Sequence, residues 1–160
     1  MSQKLKEKSL SPEVQASSIS SRAAAPIADV SEFDERIQIV LHAAGDKKAL
    51  EPTVLDLRGI ASFTDFFVIF TGANRRQCQA ISDEIVEQLK HRGTPASRVE
   101  GYKNAEWILV DYGDFVVHVF DDKARRFYDL ERLWRESKRY DISPDQIGSQ
   151  DSTLKAEQAL

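Results

Sequence analysis

Residues 66–71, with the sequence Phe-Phe-Val-Ile-Phe-Thr, constrain the fold of this chain more than any other segment. Every position is aromatic or β-branched, so the strand that this run predicts is apolar on both faces. Such a strand has to be covered on two sides. A second β-rich run at residues 53–57 precedes it, and the connecting loop with Gly59 is too short for a crossover helix. We therefore expect the two runs to pair as an antiparallel hairpin.

A second hairpin is predicted at residues 106–120. Two apolar runs, 106–111 and 115–120, flank Tyr112-Gly113-Asp114, which suits a tight turn. Between the hairpins, Gly72 and Asn74 end the strand, and a stripe at helical spacing continues to Gly93: Cys78, Ile81, Ile85, Val86 and Leu89. This helix is long enough to return the chain by a right-handed crossover to a parallel neighbour of the 66–71 strand, beginning near Glu106.

Two further helices complete the pattern. Ser31 and Asp34 resemble a helix start, and apolar residues recur at helical spacing up to Gly45: Val30, Phe33, Ile37, Val40, Leu41 and Ala44. Asp121 and Asp122 suit a helix N-terminus and precede a last stripe of Ala124, Phe127, Leu130 and Trp134. The predicted fold class is α/β, in the order α-β-β-α-β-β-α with a mixed four-stranded sheet.

Both ends of the chain differ in composition from this core. Residues 1–30 are rich in Ser, Ala and Lys and contain Pro12 and Pro26, which predicts a disordered N-terminal tail. Residues 135–160 are again polar, with Pro144 and Gly148 as helix breakers, and predict a C-terminal tail. The folded domain is expected at residues 31–134.

Charge and composition exclude several classes of function. The 160 residues carry a net charge of -4, which argues against a general nucleic-acid binder because phosphate neutralisation needs surplus Lys and Arg. No apolar run approaches the roughly 20 residues of a membrane-spanning helix. Cys78 is the only cysteine, so an internal disulfide and a cysteine-based zinc cage are excluded, and a reducing compartment fits. We expect a cytoplasmic protein with no membrane and no sequence-specific nucleic-acid partner.

The sequence offers little support for catalysis. Gly72 could present backbone N–H groups to a phosphate, but a turn that lets a helix begin is the preferred interpretation. The sequence motifs whose fixed spacing indicates nucleotide or metal binding are missing, and no predicted strand carries two carboxylates that alternate on one face. The only D-x-E, Asp129-Leu130-Glu131, falls in the last predicted helix and indicates local salt bridges. We therefore expect no catalytic residue, cofactor or metal.

His118 is the histidine that deserves a separate hypothesis. It shares a strand face with Val116 and Phe120, so the alternation predicts that it is nearly buried. A catalytic role would pair it with a carboxylate, and a hydrogen-bonded structural histidine is preferred. The carboxylates that such a catalytic role would need are Asp65, Asp111 or Asp114.

Trp107 is the candidate binding residue. It alternates with Glu106 and Ile108 at the start of a strand that could border the sheet. An exposed tryptophan commonly anchors an interface, where truncation costs roughly 2 kcal/mol or more. A tryptophan that covers one end of the core fits the pattern equally well. The acidic residues around it would complement a basic protein surface rather than bare RNA: Glu100, Asp111 and Asp114.

Six motifs follow one another in this chain: residues 64–69 (TDFFVI), 71–74 (TGAN), 100–101 (EG), 107–114 (WILVDYGD), 117–120 (VHVF) and 126–134 (RFYDLERLW). Together they resemble the ribosomal silencing factor family of bacteria and organelles. The resemblance covers about residues 34–134, and the combination is far more specific than any one motif. It leaves both tails unexplained.

The resemblance implies a fold similar to nucleotidyltransferases, without their catalytic carboxylates, and a function. Family members bind ribosomal protein L14 on the intersubunit face of the large ribosomal subunit and obstruct joining by the small subunit, so that translation falls when nutrients are scarce. Asn74 stands where the family often has Ser, and it is an equivalent helix cap. Position in the motifs makes Trp107 the contact anchor, with these neighbours: Asp65, Glu100, Asp111, Tyr112 and Asp114.

Two alternatives stay open at this point. An enzyme that transfers a nucleotidyl or phosphoryl group would use Gly72, Asp65, Asp111 and His118. An oligomeric scaffold, such as a homodimer, would use Trp107 and the last helix for self-association.

Overall fold

The computed structural model describes residues 28–148, which build one six-stranded mixed sheet. In chain order the strands are β1 (Leu50–Asp56), β2 (Phe66–Gly72), β3 (Arg98–Glu100), β4 (Trp107–Asp111), β5 (Phe115–Asp121) and β6 (Lys138–Asp141). Their order across the sheet is β3-β4-β5-β2-β1-β6. The mixed α/β class is confirmed, but the predicted number of four strands is wrong. The two additional strands, β3 and β6, are short and polar and lie at the edges, where no apolar alternation marks them.

Both predicted hairpins form. β1 pairs antiparallel with β2, and β4 pairs antiparallel with β5, with Trp107 opposite Phe120 and Leu109 opposite His118. The parallel neighbour of β2 is β5, with Phe66 opposite Phe115, and not the strand near Glu106 as predicted. The chain therefore leaves β2 through a helix, forms β3 and β4 at the far edge, and only then returns beside β2.

Two long helices cover one face of the sheet. Helix α1 (Glu35–Asp46) begins after Asp34, whose side chain accepts a hydrogen bond from Arg36 N. Helix α2 (Arg75–His91) begins after Asn74, whose side chain accepts one from Gln77 N at 2.8 Å. These caps satisfy N–H groups that a helix start leaves without a partner. The main core lies between these helices and the sheet, and its largest fully buried members include Phe70, Phe115, Ile37, Leu41, Ile81, Ile85, Leu89 and Ile108.

Gly72 lies where β2 meets α2. A Cβ at this position would be 2.6 Å from Cys78 Sγ and 3.0 Å from Cys78 N. Only glycine lets the helix pack this closely on the end of the strand. The interpretation of Gly72 as a turn residue agrees with this contact.

Two short helices cover part of the second face. They are α3 (Asp122–Tyr128), capped by Asp121, and α4 (Leu130–Leu133), and Asp129 between them is left-handed at φ 48. The predicted single helix is therefore wrong, because the chain turns at Asp129. Within α3 the buried residues are Ala124 and Arg125, and Phe127, expected in the core, is 77% exposed. A second, smaller core forms beneath the short helices: Leu55, Leu57, Phe67, Ile69, Val116, Phe120, Ala124 and Leu130.

The folded domain extends beyond the predicted boundary at residue 134. β6 pairs with β1 from Lys138 opposite Asp56 to Asp141 opposite Thr53, inside the range 135–160 that was predicted as a polar tail. Ile142 and Ile147 are buried in the main core, and so are Ala28 and Val30 before the predicted start at residue 31. The predicted disorder of residues 1–27, and the tail from residue 149, lie outside the described residues.

Within residues 28–148, no helix is both long enough and apolar enough to cross a membrane.

Candidate functional site

Trp107 lies on the second face of the sheet, at the start of β4. Ile108 and Val110 point to the opposite face and are buried in the main core. Trp107 is half-buried against the smaller core, with its ring centroid 5.0 Å from that of Phe120 and 4.5 Å from that of Tyr128. The indole therefore covers part of the smaller core and also keeps a solvent-exposed surface.

The second face is only partly covered near Trp107. Leu109 and Asp111 follow Trp107 on the same face of β4, and the register sets Arg98 of β3 opposite Asp111 and Glu100 opposite Leu109. None of these side chains is buried. We call this surface the open sheet face, defined by Arg98, Glu100, Trp107, Leu109 and Asp111.

His118 contacts Trp107 from the neighbouring strand. The indole Nε1–H of Trp107 donates a hydrogen bond to His118 Nδ1 at 3.0 Å. His118 is 3% exposed, and burial lowers its pKa from 6.5 to about 3, so the ring is neutral near pH 7. Its ring centroid lies 4.3 Å from that of Phe67. His118 is therefore a buried, hydrogen-bonded histidine, as the alternation predicts, and none of the three candidate carboxylates bonds to it within residues 28–148.

Three of the predicted partner-binding residues meet at the other end of β4. Asp65 N donates to Asp114 O at 2.9 Å, which joins the start of β2 to the turn between β4 and β5. Asp111 Oδ1 accepts from Gly113 N at 2.8 Å, and the Asp114 carboxylate forms an ion pair with Arg36 at 2.8 Å. Because Asp111 is four residue steps along an extended strand from Trp107, roughly 13 Å lies between this cluster and the start of β4.

We call Glu100 and Asp111, the acidic residues of the open sheet face, the acidic rim. A cation that the sequence did not predict, Arg98, lies between them. Arg98 Nη1 lies 3.1 Å from Glu100 Oε2, and Arg98 Nε lies 3.4 Å from Asp111 Oδ2. Glu100 and Asp111 therefore share one positive charge, and the open sheet face carries a net negative charge of one. Since these side chains are exposed or half-buried, the ion pairs contribute little to stability and can exchange for a partner's charges.

Tyr112 lies on the wrong face for the role that was predicted. It is buried in the main core and stacks on Phe115 with ring centroids 4.9 Å apart. Burial raises the pKa of its hydroxyl to about 12, and the hydroxyl has no hydrogen-bond partner among the described residues. The alternation of β4 continues through Tyr112, which lies with Ile108 and Val110 in the main core, so Tyr112 cannot contact a partner seated on the open sheet face.

Tyr128 is a neighbour of Trp107 that the sequence analysis missed. It ends α3, is 46% exposed, and its ring lies between those of Trp107 and Phe127. The predicted helix stripe passed from Ala124 through Phe127 and did not include Tyr128, which is four residues after Ala124 and shares its side of α3. Tyr128 extends the aromatic surface beside the open sheet face.

A buried ion pair fixes α3 and α4 on the sheet. Arg125 is 4% exposed, and its Nε and Nη2 atoms donate to the carboxylate of Glu131 on α4. Nη2 also donates to Thr53 Oγ1 at 3.1 Å, and Nη1 donates to Thr71 Oγ1 at 3.0 Å and Glu51 O at 2.8 Å. The D-x-E carboxylate of Glu131 therefore has a structural partner. All five guanidinium N–H groups have acceptors, so the network holds the helix that carries Tyr128.

The part of the chain that the structure describes brings together no group of three or more His, Cys, Asp or Glu side chains suited to a metal ion. Its described strands also carry no pair of carboxylates that alternate on one face.

Comparison with known proteins identifies the family. A family model described as "Ribosomal silencing factor during starvation" matches residues 30–159. The chain belongs to this family. A ribosomal silencing factor of Halalkalibacterium halodurans is 39% identical over 108 residues, which are 68% of this chain and 92% of the relative. Membership rests on nearly the whole described region and not on one motif.

Two further proteins are similar to this member of the ribosomal silencing factor family, one in structure and one in sequence. A crystal structure of a Chromobacterium violaceum protein is similar with a TM-score of 0.61 and 34% identity, covering 62% of this chain and 83% of that one. A Mus musculus protein named "Mitochondrial assembly of ribosomal large subunit protein 1" is 30% identical over 101 residues, 61% of this chain and 44% of the relative.

Proposed function

We propose that this chain is a ribosomal silencing factor that binds ribosomal protein L14 on the large ribosomal subunit. Seated there, it blocks joining by the small subunit and represses translation under nutrient limitation. It acts in the cytoplasm, without a cofactor and without reading a nucleic-acid sequence. Family membership over residues 30–159 is the observation that carries the proposal. The names of the relatives add support, since one refers to the large ribosomal subunit.

The open sheet face is the surface that we assign to this contact. Trp107 supplies a half-exposed aromatic ring, Tyr128 extends it, and Glu100 and Asp111 give the rim a net negative charge. Desolvated aromatic anchors carry most of the affinity of typical interfaces, and charges at the rim steer the approach of a partner with opposite charge. A basic protein surface such as that of a ribosomal protein fits both properties.

The mechanism that follows is steric exclusion. A folded body of more than 100 residues, bound where the two subunits must pack, prevents joining without changing any covalent bond. The sheet and its buried Arg125–Glu131 pair would make that body rigid. We also propose that the fold is a nucleotidyltransferase-like one that lacks the alternating catalytic carboxylates, as the described strands do.

Sedimentation with separated ribosomal subunits tests the proposal. The chain should travel with large subunits through a density gradient and stay behind when only small subunits are present. Trp107→Ala should weaken large-subunit binding about 30-fold, from roughly 2 kcal/mol at 1.4 kcal/mol per tenfold. Phe63→Ala is the matched control, because Phe63 is a 60% exposed aromatic residue that contacts Trp134 and is not part of the open sheet face. Failure of the wild-type chain to sediment with large subunits would refute the proposed function.

The enzyme alternative does not fit the geometry. Asp65 precedes β2 and Gly72 ends it, so roughly 20 Å of extended strand separates them. His118 is buried and bonded to Trp107, away from both. Incubation with nucleotides and a divalent metal should therefore give no turnover. If turnover were observed and Asp111→Asn abolished it, the result would support the enzyme alternative.

Self-association would compete for the same surface. A homodimer that uses Trp107 and the last helix would hide the open sheet face from the ribosome. Light scattering after size-exclusion chromatography, with and without Trp107→Ala, separates a dimer on this face from a monomer.

A further inference from the structure

The only polar atom of the Trp107 indole is satisfied within the chain. Its Nε1–H donates to His118 Nδ1 at 3.0 Å, and an indole has no other hydrogen-bonding group. The surface that Trp107 shows to a partner is therefore apolar throughout. A partner that covers it does not have to supply an acceptor.

The orientation of the indole is fixed across the sheet. Leu109 stands opposite His118, so Trp107, two residues earlier on the same face, is the diagonal neighbour of the histidine. The indole lies towards β5, with its ring centroid 5.8 Å from that of His118, and it also contacts Phe120 and Tyr128. A hydrogen bond at one edge and contacts with three rings leave it few alternative rotamers.

The acceptor role requires one particular state of the histidine. With Nδ1 accepting, the proton of the neutral ring must be on Nε2. His118 is 3% exposed, and Nε2 has no hydrogen-bond partner among the described residues. A buried N–H without an acceptor lowers stability, and an apolar side chain would avoid that loss while filling the same space beside Phe67. Packing alone therefore does not account for a histidine here.

We propose that His118 is a positioning residue that holds Trp107 in its binding orientation and removes the need for a hydrogen-bond acceptor on the partner. The ribosomal partner would then meet the indole with aliphatic or other apolar groups, and its charged groups would contact the acidic rim. This inference rests on the proposed function, because it takes Trp107 as the anchor of the large-subunit contact. It adds which group prepares the anchor and which surface chemistry the anchor accepts.

The free protein provides the first test. The chain has two tryptophans, so a proton–nitrogen correlation spectrum shows two indole N–H signals, and Trp107→Phe identifies the one that belongs to Trp107. We expect that signal to exchange slowly with solvent. Exchange as fast as that of a free indole would overturn the inference without any binding measurement.

Two substitutions of His118 provide the second test. His118→Asn keeps an acceptor, because Oδ1 takes the place of Nδ1, whereas His118→Phe fills the space without one. His118→Phe should speed indole exchange and weaken large-subunit affinity about tenfold, and His118→Asn should stay within about threefold of wild type, as expected for one hydrogen bond. His118→Leu is a second acceptor-free variant if His118→Phe does not fold.

The outcomes separate this inference from the proposed function. If Trp107→Ala leaves large-subunit binding unchanged, the assigned surface is wrong. If Trp107→Ala weakens binding while a folded acceptor-free variant of His118 binds like wild type, the surface stands and the positioning role is overturned. Equal losses for His118→Asn and His118→Phe would also overturn it, because only the second lacks an acceptor.

Discussion

Removal of the Glu131 side chain is the sharpest test of the energetics of this fold. Arg125 and Glu131 are 4% and 10% exposed, and their ion pair connects α3 to α4 beneath the second face. Glu131→Ala would remove the acceptor for two of the five guanidinium hydrogen bonds and the direct partner of the buried charge, and leave the 45% exposed Glu51 carboxylate still acting on it. Breaking a buried pair in this way typically costs about 3–5 kcal/mol. That is a large part of the roughly 5–15 kcal/mol by which a domain is stable.

The neighbouring arginine supplies a matched control. Arg126 is 57% exposed and pairs with Glu51 and Asp122, which are 45% and 69% exposed. Water screens these charges, so Arg126→Ala should cost less than about 1 kcal/mol. Both substitutions remove an ion pair of the same helix, and they differ mainly in burial.

Urea unfolding followed by far-ultraviolet circular dichroism measures the difference. If the slope is about 2 kcal/mol per molar urea, Glu131→Ala should lower the midpoint by about 2 M and Arg126→Ala by less than about 0.5 M. In the double variant Arg125→Met/Glu131→Leu, the loss should be smaller than in Glu131→Ala, because no charge remains buried. A midpoint for Glu131→Ala within 0.5 M of the Arg126→Ala value would refute the reasoning.

Three further predictions follow from buried groups. Burial lowers the pKa of His118 from 6.5 to about 3, so the free energy of unfolding should fall as the pH drops below 6.5. The contribution of His118 to this fall approaches about 1.4 kcal/mol per pH unit and should be lost in His118→Phe. Urea titrations at pH 6.5 and 5.5 measure it. The Cys78 thiol, buried and with a pKa raised to about 11, should react with iodoacetamide at pH 8 only when the chain opens, and mass spectrometry should show labelling that rises with urea. Gly72→Ala should lower stability by about 1–3 kcal/mol in the same urea assay, and Cys78→Ala in the same chain should recover part of it, because the added Cβ would lie 2.6 Å from Sγ. No recovery would locate the strain at the Cys78 backbone.

The central elements of the fold could be predicted because side-chain pattern and burial agree in them. The run at 66–71 is apolar on both faces and forms β2, which lies between two strands of the sheet and has helices on both of its faces. The stripe from Cys78 to Leu89 became the buried side of α2. The edge strands β3 and β6 escaped prediction because backbone hydrogen bonds hold them and their side chains are mostly charged. The left-handed Asp129 carries no pattern signal, and the break between α3 and α4 was therefore not predicted.

The candidate site also contains residues that the sequence could place and contacts that it could not. Trp107, Glu100 and Asp111 could be assigned to one surface by their closeness in sequence, and the structure sets them on one face. Tyr112 was misassigned because it was grouped with its neighbours in the motif, although the alternation of β4 places it with Ile108 and Val110. The hydrogen bond between Trp107 and His118 depends on the register of two strands, and a sequence pattern does not contain that register.

The pairing of β6 with β1 also affects how the protein is made. Asp56 meets Lys138 and Thr53 meets Asp141, so the earliest described strand stays unpaired on one side until residue 141 has been synthesised. Long-range pairing of this kind slows folding and leaves a strand edge exposed in the nascent chain. Completion of the sheet therefore waits until β6 has been synthesised, and a nascent chain that ends before residue 138 leaves one side of β1 without its partner strand.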